Sequence, residues 1–261
     1  MTHNMIFLDR AMAELSYLDR CGERLAYRRQ NGAGPGIVWL GGFRSDMEGI
    51  KAQAVDAWAA RNGRACLRFD YFGHGASSGA FTDGTISRWR DDALTILDAQ
   101  TKGPQILVGS SMGGWIAMLV ARARLECVAG LLLIAPAADF TEELMWKEMP
   151  EEARRELLEL GVWTYQSEVE GESLPITRML IEDGRSNLVL GETIVVAYPV
   201  RILQGMADPD VPWTHTMKLV GAIKGDVTIT LVKNGDHRLS APENLELLER
   251  TLNGLVKDVI G

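Results

Sequence analysis

Gln105-Ile106-Leu107-Val108-Gly109-Ser110-Ser111-Met112-Gly113-Gly114 runs from an apolar stretch of strand length directly into a helical pattern. A buried strand that ends in G-x-S-x-G and turns at once into a helix leaves the central serine on a tight turn. The Ser111 hydroxyl is then exposed at the carboxyl end of a sheet. Gly109 and Gly113 leave room for close backbone packing around it. The helix starting at Met112 directs unpaired N–H groups and its positive dipole end toward the same spot. Small residues also make turns that carry no chemistry, so the reading depends on partners elsewhere in the chain.

Outward from this stretch, short apolar runs alternate with helical patterns, the rhythm of a parallel sheet crossed by helices. Residues 16–29 predict an antiparallel hairpin turning at Cys21-Gly22-Glu23, residues 31–36 break the chain, and 37–40 form a buried strand. The periodicity then predicts a helix over 48–61, a strand over 65–70, a helix over 86–99, a strand over 105–108, a helix over 112–124 and a strand over 128–134. Between 137 and 198 the rhythm stops in a charge-rich segment, read as a helical lid inserted in the domain because about 60 residues is close to the lower limit for independent folding. It resumes with a strand at 200–203, a helix at 213–223, a strand at 227–232 and a closing helix at 242–260. The expected fold is α/β, one domain over 1–261, with a mostly parallel sheet of about eight strands and helices on both faces.

Composition narrows the function. With 46% hydrophobic residues, the 261-residue chain can bury a large core without disulfide or metal staples. Lys and Arg number 27 against 35 Asp and Glu, a net charge of −8, the wrong sign for a nucleic-acid partner. Three cysteines, Cys21, Cys66 and Cys127, lack CxxC spacing and form neither a disulfide framework nor a zinc site. The apolar runs fall short of the ~20 residues a spanning helix needs, so no stable membrane insertion is expected. The first residues show no basic segment followed by an apolar run and a cleavage site, which reads as a cytoplasmic protein. No G-x-G-x-x-G follows the first parallel strand and no P-loop spacing occurs, which disfavours dinucleotide and nucleotide binding.

A serine hydroxyl needs a base, and the base needs a group to hold its tautomer. Of four histidines, His3 lies in the N-terminal tail, His74 in a Phe-Gly-His-Gly turn and His215 in a helix. His237 follows the last strand and completes the chain order serine, acid, histidine. For the acid, Asp208 leaves the preceding strand on a loop facing the same edge. Asp139, after an earlier strand, remains a rival; Asp210 reads as a helix cap, and Asp236 sits too close to His237 in the chain to approach its ring. The oxyanion donors are the amide of Met112 and, from the loop after the first parallel strand, the amide of Phe43. In the insertion, Leu144, Met145, Trp146, Met149, Leu160 and Trp163 offer apolar surface; Trp146 and Trp163 are taken as substrate contacts. Arg178 and Arg185 are weaker candidates for a substrate carboxylate. No metal or organic cofactor is required.

With these residues in place, residues 40–47 (LGGFRSDM), 68–75 (RFDYFGHG), 103–111 (GPQILVGSS), 113–115 (GGW), 210–213 (DVPW) and 236–238 (DHR) resemble the α/β-hydrolases. Within them, the similarity is to the mitochondrial palmitoyl-protein thioesterases, also known as mycophenolic acid acyl-glucuronide esterases. The resemblance runs from about Gly36 to Arg238 and is loose in the insertion. It implies a serine hydrolase of carboxylic esters or thioesters, acting on a small molecule or an acylated protein, with Ser111, Asp208 and His237 where that family keeps its triad. Many hydrolases of the wider fold carry His-Gly where this chain has Gly41-Gly42. The aspartate nucleophile of a haloalkane dehalogenase is absent, since Ser111 occupies that position. The reading from another class is a catalytically silent scaffold serving as a small-molecule receptor or interaction module.

Overall fold

The computed structural model describes residues 13–20, 22–166 and 173–261; Cys21 of the expected hairpin turn and His3 lie outside them. The chain opens with β1 (Leu15–Arg20), β2 (Glu23–Gln30) and β3 (Ala33–Leu40), then α1 (Ile50–Arg61) and β4 (Arg64–Phe69). It continues through α2 (Ile86–Gln100), β5 (Gln105–Ser110), α3 (Met112–Ala123) and β6 (Val128–Ile134). A π-helical stretch (Thr141–Trp146) leads into α4 (Glu151–Leu160), β7 (Val162–Gln166), β8 (Ser173–Thr177), α5 (Arg178–Arg185) and β9 (Ile194–Val195). The last part holds β10 (Val200–Gly205), α6 (Trp213–Ala222), β11 (Ile223–Lys224), β12 (Val227–Val232) and α7 (Pro242–Ile260).

Eight strands form the main sheet in the order β1-β2-β4-β3-β5-β6-β10-β12. The β1–β2 and β2–β4 pairings are antiparallel, and those from β4 onward are parallel. Period-two alternation explains why the central strands read as unbroken apolar runs, since both of their faces are covered. In β3, Ile37 and Trp39 face α1 and α7, whereas Val38 and Leu40 face α2 and α3; Ile106 and Leu107 of β5, and Leu132 and Leu133 of β6, divide the same way. The α/β architecture with helices on both faces is therefore as the sequence predicts.

Two stretches differ from that prediction. The Asn-Gly-Ala-Gly-Pro-Gly segment expected to break the chain contains the start of β3: Ala33 pairs with Arg64, the register then shifts, and pairing resumes at Ile37 opposite Cys66. The residues that normally punctuate a chain here make an irregularity within a strand. The insertion is not helical throughout, because β7 and β8 pair as an antiparallel hairpin between α4 and α5. Gly161 ends α4 in the left-handed conformation at φ 79° and turns the chain into β7.

Strand order reverses at β3, whose successor β4 lies on one side and β5 on the other. A crevice opens outside the carboxyl ends of strands at such a switch point. There the G-x-S-x-G glycines meet a steric demand. A Cβ on Gly113 would lie 2.1 Å from the Leu40 carbonyl oxygen and 2.5 Å from that of Gly41; one on Gly109 would lie 2.3 Å from the Gly113 oxygen. Neither backbone has a flexible end that can yield. Gly113→Ala is expected to lower stability by about 3 kcal/mol, the upper part of the range for overpacking, read as a shift of the urea unfolding midpoint at unchanged slope.

Candidate active site

The loops after β3, β5, β10 and β12 meet at this carboxyl edge. Ser111 adopts φ 54° and ψ −120°, a backbone conformation that side-chain-bearing residues seldom occupy. The strain is held by hydrogen bonds: the Ser111 amide donates to the Ile134 carbonyl at 2.9 Å, and the Ser111 carbonyl accepts from Gly114 and Ala137 at 2.9 and 3.1 Å. This fixes the serine between β5 and β6 with its side chain at the surface of the crevice.

His237 reaches it from the loop after β12. Its Nε2 lies 3.1 Å from Ser111 Oγ, and its Nδ1 lies 2.8 Å from Asp208 Oδ2. A carboxylate only accepts, so Nδ1 carries the proton and Nε2 presents its lone pair to the serine hydroxyl. Asp208 is buried. Its Oδ1 accepts the amides of Asp210 and Val211 at 2.9 and 2.8 Å, and its Oδ2 also accepts from Gln204 Nε2 at 3.2 Å. Gln204 is oriented in turn by Thr216, whose hydroxyl donates to Oε1 at 2.6 Å. The loops that carry Asp208 and His237 are themselves joined, the Ala207 amide donating to the Gly235 carbonyl at 3.0 Å. On α1, the Lys51 ammonium donates to the Arg238 carbonyl beside His237; burial pushes its pKa down to about 8 against the pull of Asp236 and Asp208.

The rivals fall elsewhere. Asp139 is buried with φ 56°, and its carboxylate accepts the amides of Val189 and Leu190 at 2.8–3.1 Å, pinning the end of the insertion to the end of β6. Burial raises its pKa. Asp236 caps its own turn by accepting the Leu239 amide at 2.8 Å. Asp210 is exposed, and α6 begins at Trp213 behind Pro212 with no side-chain cap. His215 is buried and donates from Nε2 to the Ala138 carbonyl at 2.8 Å, away from Ser111. One oxygen of Asp208, one of Asp210 and a ring nitrogen of His237 lie within 4.8 Å of one another, metal-like spacing; the first and third are already bonded to each other.

Beside the serine, a Cβ on Gly42 would sit 3.4 Å from Ser111 Cβ, so the loop after β3 lies against the Ser111 turn. The amides of Phe43 and Met112 have no acceptor among the described residues. Phe43 packs edge-on against Phe81, Trp89 and Phe140, with centroids 4.9, 5.8 and 5.5 Å away. Trp146 and Trp163 pack on a small apolar cluster of the insertion, Met149, Ala153, Leu157, Ile176 and Ile181, which also touches Phe43. Arg154 and Arg185 lie over the Trp146 ring, Arg185 pairs with Glu142 at 2.7 Å, and Arg178 pairs with Glu182 at 2.6 Å. The arginines considered for a substrate carboxylate are thus engaged within the insertion. A cavity of about 220 Å³ lined by Gln30, Gly36, Cys66 and Gln105 opens at the other end of the sheet, roughly a strand length of 20 Å from Ser111. Sequence reading missed His74, which is buried and accepts the Arg44 amide at Nε2, 3.2 Å away. Its place in a glycine-flanked turn gave no sign of a partner 30 residues earlier.

Residues 37–178 match the family model described as serine aminopeptidase, S33. The mouse mitochondrial palmitoyl-protein thioesterase ABHD10 is 40% identical over 250 residues, covering 95% of this chain and 84% of the relative. This chain belongs to the ABHD10-like α/β-hydrolases. Its fold matches that of a putative hydrolase from Agrobacterium vitis S4, with 43% identity, a TM-score of 0.89, and coverage of 94% of this chain and 99% of the other. The mouse ABHD10 structure matches with 40% identity, a TM-score of 0.87 and the same coverage. An ABHD10-like α/β-hydrolase of this kind is an enzyme of the ester and thioester hydrolase class. The expected cytoplasmic compartment is corrected: relatives from Mus musculus, Pongo abelii, Homo sapiens, Bos taurus and Rattus norvegicus are all named mitochondrial. That expectation rested on the first residues alone, which lie outside those described. Among the described residues, no helix is long and apolar enough to cross a membrane.

Proposed function

We propose that this hydrolase cleaves acyl thioesters and carboxylic esters through a Ser111–His237–Asp208 triad and an acyl-enzyme. The observation that carries the reading is the hydrogen-bonded run from Asp208 through His237 to Ser111. His237 Nε2 takes the Ser111 proton as Oγ attacks the acyl carbon, and the amides of Phe43 and Met112 hold the resulting oxyanion. His237 then gives that proton to the departing thiolate or alkoxide, leaving the acyl group on Ser111. A water, deprotonated by the same ring, attacks the acyl carbon; the carboxylic acid leaves and the proton returns to Ser111. Asp208 keeps Nδ1 protonated and stabilises the imidazolium at each step.

Acyl thioesters on proteins are the favoured substrates, on the strength of the relatives' name, palmitoyl-protein thioesterase. The insertion at 137–198 serves as a lid, a role supported by its apolar cluster resting on Phe43. In this reading Trp146 and Trp163 shape the acyl site from behind Phe43, without touching the reacting atoms. The test is a fluorophosphonate probe followed by a panel of acyl-cysteine peptides and p-nitrophenyl esters of graded chain length. The expected result is a single adduct on Ser111 and kcat/KM that rises with chain length to an optimum. Folded protein that takes no label and turns over none of the panel would favour the silent receptor scaffold.

A further inference from the structure

His74 takes no part in the proton transfers just described, yet it is 4% exposed and lies beside the loop that carries Phe43. Its two ring nitrogens have assigned roles. Nδ1 lies 3.1 Å from the Phe72 carbonyl, which can only accept and also receives Trp89 Nε1–H at 3.1 Å. Nδ1 therefore holds the proton, and Nε2 is free to accept the Arg44 amide at 3.2 Å. Burial, with the Arg44 cation nearby, lowers the pKa of the ring and keeps it neutral, as an acceptor must be.

The bond lands on a strained residue. Arg44 adopts φ 58°, left-handed for a side chain with a Cβ, immediately after Phe43. The peptide unit before Arg44 carries the Phe43 carbonyl, so fixing the Arg44 N–H restricts the rotation that would swing Phe43 and its amide away from Ser111. Packing acts in the same direction. Phe81 and Trp89 contact both rings, lying 5.2 and 5.1 Å from His74 and 4.9 and 5.8 Å from Phe43. A second tie lies three residues on: Asp70 accepts the Met47 amide at 2.7 Å and the Ala76 amide at 2.8 Å, joining the same loop to the same turn.

We propose that His74 is a positioning residue for acyl transfer, holding the Arg44 amide so that the Phe43 amide stays aimed at the oxyanion beside Ser111. The proposal rests on the reading of Ser111 as nucleophile, so Ser111→Ala is assayed in parallel. His74→Phe keeps an aromatic ring among Tyr71, Phe81 and Trp89 but removes both hydrogen bonds. His74→Gln restores a donor for Phe72 and an acceptor for Arg44. His74→Asn is too short to bridge the two and takes the place of the phenylalanine variant if that one fails to fold.

With a p-nitrophenyl ester, His74→Phe is expected to lower kcat about 100-fold, the scale of one oxyanion donor, while KM changes by less than about threefold. Affinity for a trifluoromethyl ketone, whose tetrahedral adduct bears the oxyanion, should fall by the same factor as kcat/KM, and His74→Gln should recover most of both. Wild-type kcat and inhibitor affinity in folded His74→Phe overturn the proposal. So does an equal loss in the glutamine variant, which marks a role in packing alone. Turnover that survives Ser111→Ala instead overturns the nucleophile assignment, whatever the His74 variants do.

Discussion

Replacement of Ser111 by alanine is expected to cut kcat for an acyl ester or thioester by about 10⁵- to 10⁶-fold, the scale of nucleophile removal in a triad enzyme. Oγ is the group that stands 3.1 Å from His237 Nε2, and no second hydroxyl bonds to that nitrogen among the described residues. The substitution is light on the fold. Alanine meets the same positive-φ strain as serine, and the bonds that hold the turn, to Ile134, Gly114 and Ala137, are all made by the backbone. Thermal unfolding should therefore be unchanged within a few degrees. The small residual rate comes from the oxyanion amides and substrate binding, which the mutation leaves in place. Retention of even a hundredth of wild-type kcat in protein free of wild-type carry-over would remove Ser111 from the mechanism.

Asp208→Asn is expected to lower kcat by about 10⁴-fold through the tautomer of His237. The two carboxylate oxygens do different jobs. Oδ1 accepts two backbone amides, from Asp210 and Val211, so the asparagine oxygen is required there. The amide NH₂ then falls at the Oδ2 position, facing His237 Nδ1. A donor at that point favours the ring with its proton on Nε2, where it blocks acceptance of the serine proton. Phosphonylation of Ser111 should slow in parallel. Asp139→Asn leaves this contact untouched, because Asp139 binds the amides of Val189 and Leu190 instead. Collapse of activity in the Asp139 variant, with Asp208→Asn still active, would reassign the acid.

Most of the sheet was legible because its central strands are buried on both faces, which favours runs of Val, Ile and Leu, as in Leu131-Leu132-Leu133-Ile134. The serine turn was legible for a steric reason: Gly109 and Gly113 lie where a Cβ would strike backbone. Asp208 and His237 followed from chain order and from the fact that both leave strands at one edge. The start of β3 was not legible, since Gly34, Pro35 and Gly36 read as breakers and only the neighbouring strand shows that they bulge within a ladder. The hairpin of the insertion depends on pairing between segments whose apolar residues suit a helix or a strand equally. Apolar character also does not say what it will touch: that Trp146 and Trp163 pack on Met149, Leu157 and Ile181 comes from the structure alone. For His74, both the partner Arg44 amide and the aromatic surroundings come from other parts of the chain.

The order of these parts along the chain has an engineering consequence. Phe43, His74 and Ser111 precede the insertion, while Asp208 and His237 follow it on two loops already clipped together through Ala207 and Gly235. A break within 137–198 would thus yield two fragments, one with Ser111 and one with Asp208 and His237, so that neither would hold the whole of the proposed triad. β10 would have to dock back onto β6 before turnover returned. Tethering each fragment to a different protein would make ester hydrolysis a signal of proximity, a split reporter with its division point already marked by the fold.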